Sequence, residues 1–329
     1  MADFDVFNGD ADGICALHQL RLAEPRSASL VTGVKRDITL LKQVQAASGD
    51  RVTTLDISLN KNREPLLRLL EVGAMVEYFD HHQADDIPQH PNLHAHIDTA
   101  AEWCTSLLVN QHLGGQHLAW AVVAAFGDNL TLVARAAAES LQLSDAALLE
   151  LQELGECINY NAYGEALEDL FFAPAELYGL LHEHTDPFSF IREERAFVML
   201  KNGYTGDMEQ AKAVAPMHSS SAGNIYELPD VAWSRRVSGV FGNALATGAP
   251  TLAHAVLTKK SDGAYLVSVR APVAVKAGAD VLCSQFESGG GRKSAAGINQ
   301  LPVVDLARFI AAFEQVFAPS SGFNKSKSA

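Results

Sequence analysis

The stretch Tyr78–Phe79–Asp80–His81–His82 is an apolar run that ends abruptly in one carboxylate and two imidazoles. Because it follows Val72–Gly73–Ala74–Met75–Val76, it predicts a buried strand whose carboxyl end opens into a polar loop. Ligands of open α/β sheets bind at the carboxyl ends of the strands. We therefore expect this stretch to be one part of a ligand site, completed by residues from elsewhere in the chain.

Strand and helix patterns alternate through the first hundred or so residues. Strands of this length separated by helices predict βαβ units and a mostly parallel sheet. Two of the other strands also stop at carboxylates, as the Tyr78 strand does. The predicted strands are Asp3–Phe7, Ser29–Gly33 and Val52–Asp56, and the predicted helices are Ile14–Leu22, Asp37 to about Ala47, and Pro65–Val72.

In the rest of the chain the predicted secondary structure changes twice, first to helices and then to a mixture of strands and helices. From Glu102 the apolar spacing is helical, with Gly127–Asp128–Asn129 at a helix junction. A helix at Arg195–Leu200 is expected to break at Gly203 and Gly206. The later predictions are a linker (Met217–Gly223), a hairpin (Leu252–Thr258 with Tyr265–Arg270), a helix (Ala277–Phe286), a glycine-rich loop (288–297) and a closing helix (Val304–Phe317).

Composition limits the class of protein. A chain of 329 residues favours two domains, and a formal net charge of −14 disfavours binding to long duplex nucleic acid. The four cysteines form no CxxC pair, which is typical of neither a zinc knuckle nor a disulfide framework. The first residues show no leader pattern, and no apolar run reaches the roughly 20 residues of a membrane span. We expect a soluble, cytoplasmic protein without a membrane partner.

The residues that could bind metal ions or take part in catalysis are carboxylates and histidines at the ends of these elements. Carboxylates shared between two divalent ions can clamp a phosphoryl group and lower the pKa of a bridging water, and an added imidazole shifts the preference towards Mn²⁺. Taken singly, each residue has an ordinary alternative: a turn, a helix cap or a surface histidine. Their shared place at one sheet edge favours metal binding. They are Asp10, Asp12, Asp56, Asp80, His81, His82 and Asp128.

These motifs resemble, in order, those of the DHH phosphoesterase superfamily, and a glycine-rich segment near the end resembles its DHHA1 subfamily. The resemblance spans residues from about 3 to 317. The motifs are Asn8–Gly9–Asp10–Ala11–Asp12–Gly13, Leu55–Asp56–Ile57–Ser58, Asp80–His81–His82, Gly127–Asp128 and Gly289–Gly290–Gly291–Arg292–Lys293–Ser294–Ala295–Ala296–Gly297.

The resemblance implies a two-domain α/β enzyme, with a parallel-sheet domain flanked by helices, a helical extension and a smaller α/β domain. Its active site would lie in the cleft between the domains and hold two Mn²⁺ ions, for which Mg²⁺ or Co²⁺ could substitute. The expected boundaries are 1–195 for the catalytic domain, 196–224 for a linker, 225–318 for the substrate-binding domain and 319–329 for a disordered tail.

The family pattern also implies residue roles. Asp12, Asp56, His81 and Asp128 would hold one ion, while Asp10 and a bridging Asp56 would hold the other. His82 would contact the scissile phosphate, and Asp80 would orient a neighbouring group. Many relatives carry a histidine where this chain has Val6, so we expect the second ion to bind more weakly.

The substrate contacts are expected in the glycine-rich segment. Relatives usually place histidine where this chain has Arg292, whose guanidinium is a fixed, permanently charged fork for phosphate. Arg270 matches a family position that faces the cleft; the alternatives are a solvent-facing Arg292 and a structural ion pair at Arg270. The expected substrate-binding residues are Gly289, Gly290, Gly291, Arg292, Ser294 and Arg270.

We expect a phosphodiesterase that cleaves very short 5′-phosphorylated oligonucleotides or linear dinucleotides such as pGpG to mononucleotides, working as a monomer or homodimer. The alternatives are a single-strand exonuclease of RecJ type, a cyclic-dinucleotide or bisphosphonucleotide phosphatase, and an inactive nucleotide-binding protein. The acidic chain, which lacks room for an added oligonucleotide-binding barrel, weighs against processive digestion of long DNA.

Overall fold

The structure, a computed structural model, describes residues 1–318, so the tail expected at 319–329 lies outside the described residues. The chain divides into two units, Met1–Tyr204 and a second that begins at Thr205. None of the helices within the described range combines the length and apolar character that crossing a membrane requires.

The first unit is built on a parallel sheet of five strands in the order β2-β1-β3-β4-β5. The predicted parallel α/β sheet is confirmed. We did not predict β5, whose sequence Leu-His-Ala-His-Ile is short and carries histidines at alternate positions. The strands are β1 (Asp3–Phe7), β2 (Ser29–Val31), β3 (Arg51–Leu55), β4 (Met75–Asp80) and β5 (Leu93–Ile97).

Both faces of this sheet are covered by apolar side chains. Alternate residues of one strand point to opposite faces, so Val6 and Phe7 of β1 fall into different buried clusters, as do Tyr78 and Phe79 of β4. One cluster includes apolar residues of α2, and the other includes residues of α1 and α4. Double-sided burial explains the continuous apolar run of the opening stretch.

Nine helices surround this sheet or continue from it within the described residues. They are α1 (Ala11–Ala23), α2 (Leu59–Glu71), α3 (Thr105–His112), α4 (Leu118–Gly127), α5 (Thr131–Ala138), α6 (Asp145–Ala162), α7 (Pro174–His182), α8 (Pro187–Glu193) and α9 (Arg195–Ala213). The helix that we expected to start at Pro65 starts earlier, and Pro65 lies inside α2. Neither α7 nor α8 was predicted.

Two other helix predictions were wrong. The segment after Asp37 forms only a 3₁₀ turn at Leu40–Gln43, because the Asn62 side chain binds its backbone at Leu41 N and Ile38 O. The break at Gly203 and Gly206 is absent, since α9 runs through both. A Cβ at Gly203 would lie 2.4 Å from Phe171 Cζ, so this glycine serves close packing and does not end the helix.

The second unit holds a mixed sheet of six strands in the order β10-β11-β9-β8-β7-β6. The predicted β8–β9 hairpin is confirmed, whereas β7 and α10 were not predicted. The strands are β6 (His218–Ser219), β7 (Gly223–Leu228), β8 (Ala253–Lys259), β9 (Tyr265–Arg270), β10 (Gly289–Gly291) and β11 (Ala295–Leu301). The helices are α10 (Ala232–Gly248), α11 (Ala279–Cys283) and α12 (Leu306–Phe317).

Two segments differ from the expected irregular structure. Much of the expected linker, 196–224, is regular: it contains most of α9, then β6 and the start of β7. The glycine-rich segment is a β-hairpin, in which β10 pairs antiparallel with β11 and only Arg292–Ser294 form the turn.

Candidate metal centre

The candidate centre lies at the carboxyl ends of three adjacent strands of the first unit. Asp10 follows β1, Asp56 follows β3, and Asp80 ends β4. Asp12 lies in the first turn of α1, and Asp128 follows the last residue of α4. The structure therefore brings together all the residues predicted for metal binding and catalysis: Asp10, Asp12, Asp56, Asp80, His81, His82 and Asp128.

Asp10 is the N-cap of α1. Its Oδ1 accepts hydrogen bonds from the backbone N–H groups of Asp12 and Gly13, each at 3.1 Å. A Cβ at Gly13 would lie 2.2 Å from Asn8 O, so the tight loop that presents Asp10 requires glycine at this position. Asp10 Oδ2 faces the Lys35 ammonium at 2.5 Å.

Asp12 is held by the amino end of a different helix. Its Oδ2 accepts from Thr105 N and its Oδ1 from Ser106 N, both at 2.7 Å, and Ser106 Oγ donates to Asp12 O at 2.8 Å. The side chain is 1% exposed. Both carboxylate oxygens thus satisfy backbone donors at the start of α3, which fixes their direction.

Asp56 has an unusual backbone conformation, with a φ of 58° in the left-handed region. Its N–H donates to Phe79 O at 3.0 Å, and its Oδ1 accepts from Thr105 Oγ1 at 3.2 Å. Left-handed residues other than glycine are uncommon and concentrate at functional sites. The surrounding β3–β4 pairing holds Asp56 in this conformation.

Asp80 organises both histidines. Its Oδ1 accepts from His81 N at 2.9 Å, from His82 N at 3.2 Å and from His82 Nδ1 at 2.7 Å, and its side chain has no exposed surface. His81 Nδ1 lies 3.0 Å from the carbonyl oxygen of Trp103, to which it can only donate. With Nδ1 engaged by Trp103, Nε2 is the ring nitrogen of His81 that remains available to a metal ion.

The Nε2 atom of His81 faces three carboxylates. His81 Nε2 lies 3.5 Å from Asp56 Oδ1, 3.9 Å from Asp12 Oδ2 and 3.9 Å from Asp128 Oδ2. Ligands of a six-coordinate ion at about 2.1 Å lie roughly 3.0–4.2 Å apart, depending on their angle. Asp56, His81 and His82 also satisfy the spacing of a metal-binding group. Asp12, Asp56, His81 and Asp128 could together hold one divalent ion.

Burial and mutual repulsion shape the charges of this cluster. Burial raises the pKa of Asp56 well above its usual range, and the carboxylates of Asp10, Asp12 and Asp128 raise it further. Burial also raises the pKa of Asp128, to about 6, although Lys35 acts in the opposite direction. For Asp10, Lys35 outweighs burial and lowers the pKa. A bound cation would relieve this repulsion.

The environment of His82 differs from that of His81 in its effect on the ring. Burial lowers its pKa, but the hydrogen bond and charge of Asp80 outweigh burial, so the net pKa is raised above the usual 6.5. Because Nδ1 is engaged by Asp80, the remaining ring nitrogen Nε2 is available on a side chain that is 43% exposed. His82 is therefore placed to donate a hydrogen bond to an anion.

The sequence interpretation gave no role in the site to Lys35 or to Thr105 and Ser106 at the start of α3. Lys35 follows β2 and contacts Asp10, Asp128 and Asn159. Asn159 lies in the last turn of α6, which ends at Ala162, and the neighbouring Tyr160 is buried. A signal for Lys35 was its position just beyond a strand of the same sheet, and Thr105–Ser106 carried the signal of a helix start.

The predicted substrate residues lie in the second unit. Arg292 and Ser294 are exposed in the β10–β11 turn, where Arg292 N donates to Ala295 O at 2.8 Å. A Cβ at Gly289 would lie 1.8 Å from Cys283 O, and one at Gly291, where φ is 142°, would lie 2.5 Å from Ala296 Cα. Both glycines are therefore required by the hairpin, whereas Gly290 faces open space.

Arg270 makes structural contacts. Its Nε donates to Asn243 Oδ1 at 2.6 Å and its Nη2 to Gly239 O at 3.3 Å, both on α10, while Nη1 donates to Ser268 Oγ at 2.8 Å. These bonds attach β9 to α10. The alternative of a structural role for Arg270 has this support.

Comparison with solved structures gives the class of fold. The fold is similar to those of a pGpG-specific phosphodiesterase and of RecJ, which agrees with the resemblance inferred from the motifs at the level of fold. Comparison with protein-family models gives no match, and neither does comparison with curated protein sequences.

Three solved structures illustrate the likeness. The pGpG-specific phosphodiesterase PggH from Vibrio cholerae aligns with a TM-score of 0.57 at 15% identity, covering 96% of this chain and 99% of PggH. RecJ with Mn²⁺ from Thermus thermophilus aligns with a TM-score of 0.58 at 16% identity, covering 95% of this chain and 51% of RecJ. An exonuclease RecJ bound to manganese aligns with a TM-score of 0.52 at 15% identity, covering 95% of this chain and 89% of that one.

Proposed function

We propose that this protein is a divalent-metal-dependent phosphodiesterase that cleaves very short 5′-phosphorylated oligonucleotides, such as linear dinucleotides, to mononucleotides. The observation that carries the proposal is the free Nε2 of His81, within 3.9 Å of three carboxylates from three different elements. The side chains of Asp12, Asp56 and His81 are fixed by hydrogen bonds, as a preorganised metal site requires.

The chemistry follows from hard oxygen ligands combined with one imidazole, a set that suits Mn²⁺. Asp12, Asp56, His81 and Asp128 would hold the ion. When bound, a divalent ion lowers the pKa of a coordinated water and offsets charge on a phosphoryl group. Every other function belongs to the chain: Asp80 fixes the His82 ring, and His82 Nε2 donates to the phosphate oxygen that gains charge.

Length selection is assigned to the second unit. We propose that Arg292 in the exposed β10–β11 turn binds a terminal phosphate of the substrate, with Ser294 and the backbone at Gly290 as further donors. The structural likeness to PggH, a pGpG-specific phosphodiesterase covered at 99%, supports a short substrate. The formal net charge of −14 supports it too, because long polyanions are bound through many cationic contacts.

The second candidate is a single-strand exonuclease. The RecJ likeness, with a TM-score of 0.58, favours it. The chain spans about half the length of that RecJ.

One panel distinguishes the two candidates. The purified full chain with Mn²⁺ is incubated with pGpG, cyclic dinucleotide, 3′,5′-bisphosphonucleotide and a single-stranded 20-mer, and the products are resolved by chromatography. We expect mononucleotides from pGpG at least tenfold faster than from the 20-mer, and no release by the Asp12→Ala variant. Faster release from the 20-mer would establish the exonuclease, and no release from any substrate would refute the proposed function.

A further inference from the structure

The ammonium group of Lys35 lies among oxygen atoms of the acidic centre. Its Nζ lies 2.5 Å from Asp10 Oδ2, 3.1 Å from Asn159 Oδ1 and 3.7 Å from Asp128 Oδ1. These oxygens come from the α1 cap, the end of α4 and the last turns of α6. Three convergent oxygens are the surroundings of a bound cation, and here the cation is a side chain.

The lysine is fixed along its whole length. Its backbone N–H donates to Ala162 O at 3.0 Å, and Asn8 Nδ2 donates to its carbonyl oxygen at 3.5 Å. The ammonium lies 5.5 Å from the centre of the Tyr163 ring, and only 24% of the side chain is exposed. The charge is therefore positioned by both backbone and side-chain contacts, unlike a surface lysine.

Asp128 divides its two oxygens between this lysine and the metal ligands. Oδ1 faces Lys35 Nζ at 3.7 Å, while Oδ2 faces His81 Nε2 at 3.9 Å. Lys35 thus stands across one carboxylate from the Asp12–His81 ligands. Two cations that share a carboxylate are arranged in this way in two-metal sites.

The chain offers little to a second ion on this side. Both oxygens of Asp12 face only neutral backbone donors, whereas Asp10 Oδ2 already faces a positive charge, the Lys35 ammonium. Val6, at the position where a histidine ligand would stand, is fully buried in the apolar cluster that α2 covers. The residues present fit one divalent ion and one ammonium.

We propose that Lys35 takes the place of a second metal ion, so that this protein works with one divalent ion and a resident lysine. The inference rests on the proposed function for its chemical meaning. In that setting the lysine supplies a second positive charge beside the phosphate, and it stabilises charge without activating water.

The test counts metal ions and needs no substrate. Mn²⁺ binding to the full chain is measured by isothermal titration calorimetry, and electron paramagnetic resonance separates an isolated Mn²⁺ from a spin-coupled pair. Wild type is expected to bind one ion with an uncoupled spectrum. Lys35→Met removes the charge but keeps most of the stem, so it should bind a second ion at least tenfold more tightly than wild type and give a coupled spectrum.

Two further variants guard the interpretation. Lys35→Arg keeps the charge and should keep one ion, which makes the test informative even if Lys35→Met folds poorly. Lys42→Met makes the same exchange at an exposed lysine of the 3₁₀ turn and should behave as wild type.

Each outcome has a defined meaning. Two tight ions in wild type, unchanged second-site affinity in Lys35→Met, or a second ion in Lys35→Arg as strong as in Lys35→Met would each overturn the inference. No Mn²⁺ binding to wild type would contradict the metal centre and the proposed function together. One ion without hydrolysis in the substrate panel would refute the proposed function and leave the role of Lys35 standing.

Discussion

At the scale of single residues, the carboxylates of the centre have opposite effects on the free protein. Asp12 is stabilised where it lies, because two backbone donors of α3 hold its oxygens at 2.7 Å. Asp56 is buried at a φ of 58° among other carboxylates, which raise its pKa in addition to burial. Both are assigned to the same ion, yet one contributes to folding and the other opposes it.

The Asp56→Asn variant should therefore be more stable than wild type in metal-free buffer. Asparagine tolerates the left-handed conformation and can still accept from Thr105 Oγ1. The folded-state pKa is raised, so ionising Asp56 costs folding free energy as the pH rises above about 4. We expect a melting temperature at pH 8 raised by about 2–4 °C, corresponding to about 1 kcal/mol, a smaller gain at pH 4, and lost Mn²⁺ binding. An unchanged melting temperature at pH 8 would contradict this.

Asp12→Asn is the matched contrast. The amide offers one acceptor where two backbone N–H groups need one each, so the free protein should lose about 1–2 kcal/mol of unfolding free energy. Mn²⁺ binding should fall as in Asp56→Asn. Denaturant unfolding measured in parallel on both variants decides the matter, and equal signs for the two would refute the different environments described for these carboxylates.

The motif residues could be predicted from sequence because carboxylates stood at the ends of recognisable strands. Lys35 could not, because its position just beyond a strand does not by itself indicate a role, and the role comes from a contact with Asn159 that joins distant parts of the chain. The capping of α3 by Asp12 was equally invisible, since the two are separated by 93 positions.

At the scale of elements, glycines were the main source of error. Gly203 suggested a break but sits inside α9 against Phe171, and the glycines of 289–291 suggested a loop but form a strand. Glycine composition alone does not separate flexibility from close packing. Only the neighbouring atoms do so, and those come from other elements.

The contact between α4 and α6 can be tested through Gly127. A Cβ at this position would lie 2.5 Å from Ala11 Cβ and 2.8 Å from Gly155 O, and the second atom belongs to the backbone. Gly127→Ala should cost about 1–3 kcal/mol of unfolding free energy and weaken Mn²⁺ binding by displacing Asp128. Gly179→Ala in α7, where nothing lies within 4 Å, should instead gain up to about 1 kcal/mol. Thermal unfolding of both variants measures these changes in stability. An unchanged stability of Gly127→Ala would contradict the close contact between α4 and α6.

The β10–β11 hairpin can be tested through its turn. Arg292→Ala should raise the KM for pGpG at least tenfold, because a charged donor to a terminal phosphate is lost, while hydrolysis of a small phosphodiester without a terminal phosphate stays unchanged. Lys293→Ala, the exposed neighbour, should change neither. Steady-state kinetics on both substrates measure this, and an equal effect on the two would remove Arg292 from substrate binding.

At the scale of the whole molecule, the division into two units and the parallel sheet followed from length and strand–helix alternation, because these depend on patterns that repeat over many residues. The largest apolar cluster could not be outlined in this way. This cluster joins residues of α1, α4, α6, α7 and α8. The sequence showed no clear helical pattern for α7 and α8. This cluster also encloses a histidine, which links the stability of the first unit to pH.

This histidine is His18 of α1, which has no exposed surface. Its Nε2 lies 3.0 Å from His184 O, and its Nδ1 lies 3.3 Å from His182 Nδ1. The ring of His18 packs edge-on against Trp120. Burial, with the neighbouring histidines, lowers its pKa from 6.5 to about 3. The unfolded chain therefore binds a proton that the folded chain rejects, so stability is complete above about pH 6.5 and falls as the pH drops towards 3.

Between pH 7 and pH 5 this single group should remove about 2 kcal/mol of unfolding free energy. His18→Gln can still donate to His184 O but cannot take up the proton, so its stability should fall by about 2 kcal/mol less than that of wild type over this interval. The same exchange at exposed His94 should follow wild type. Urea unfolding monitored by tryptophan fluorescence, to which buried Trp120 contributes, measures all three proteins, and parallel losses in wild type and His18→Gln would show that acid sensitivity arises elsewhere.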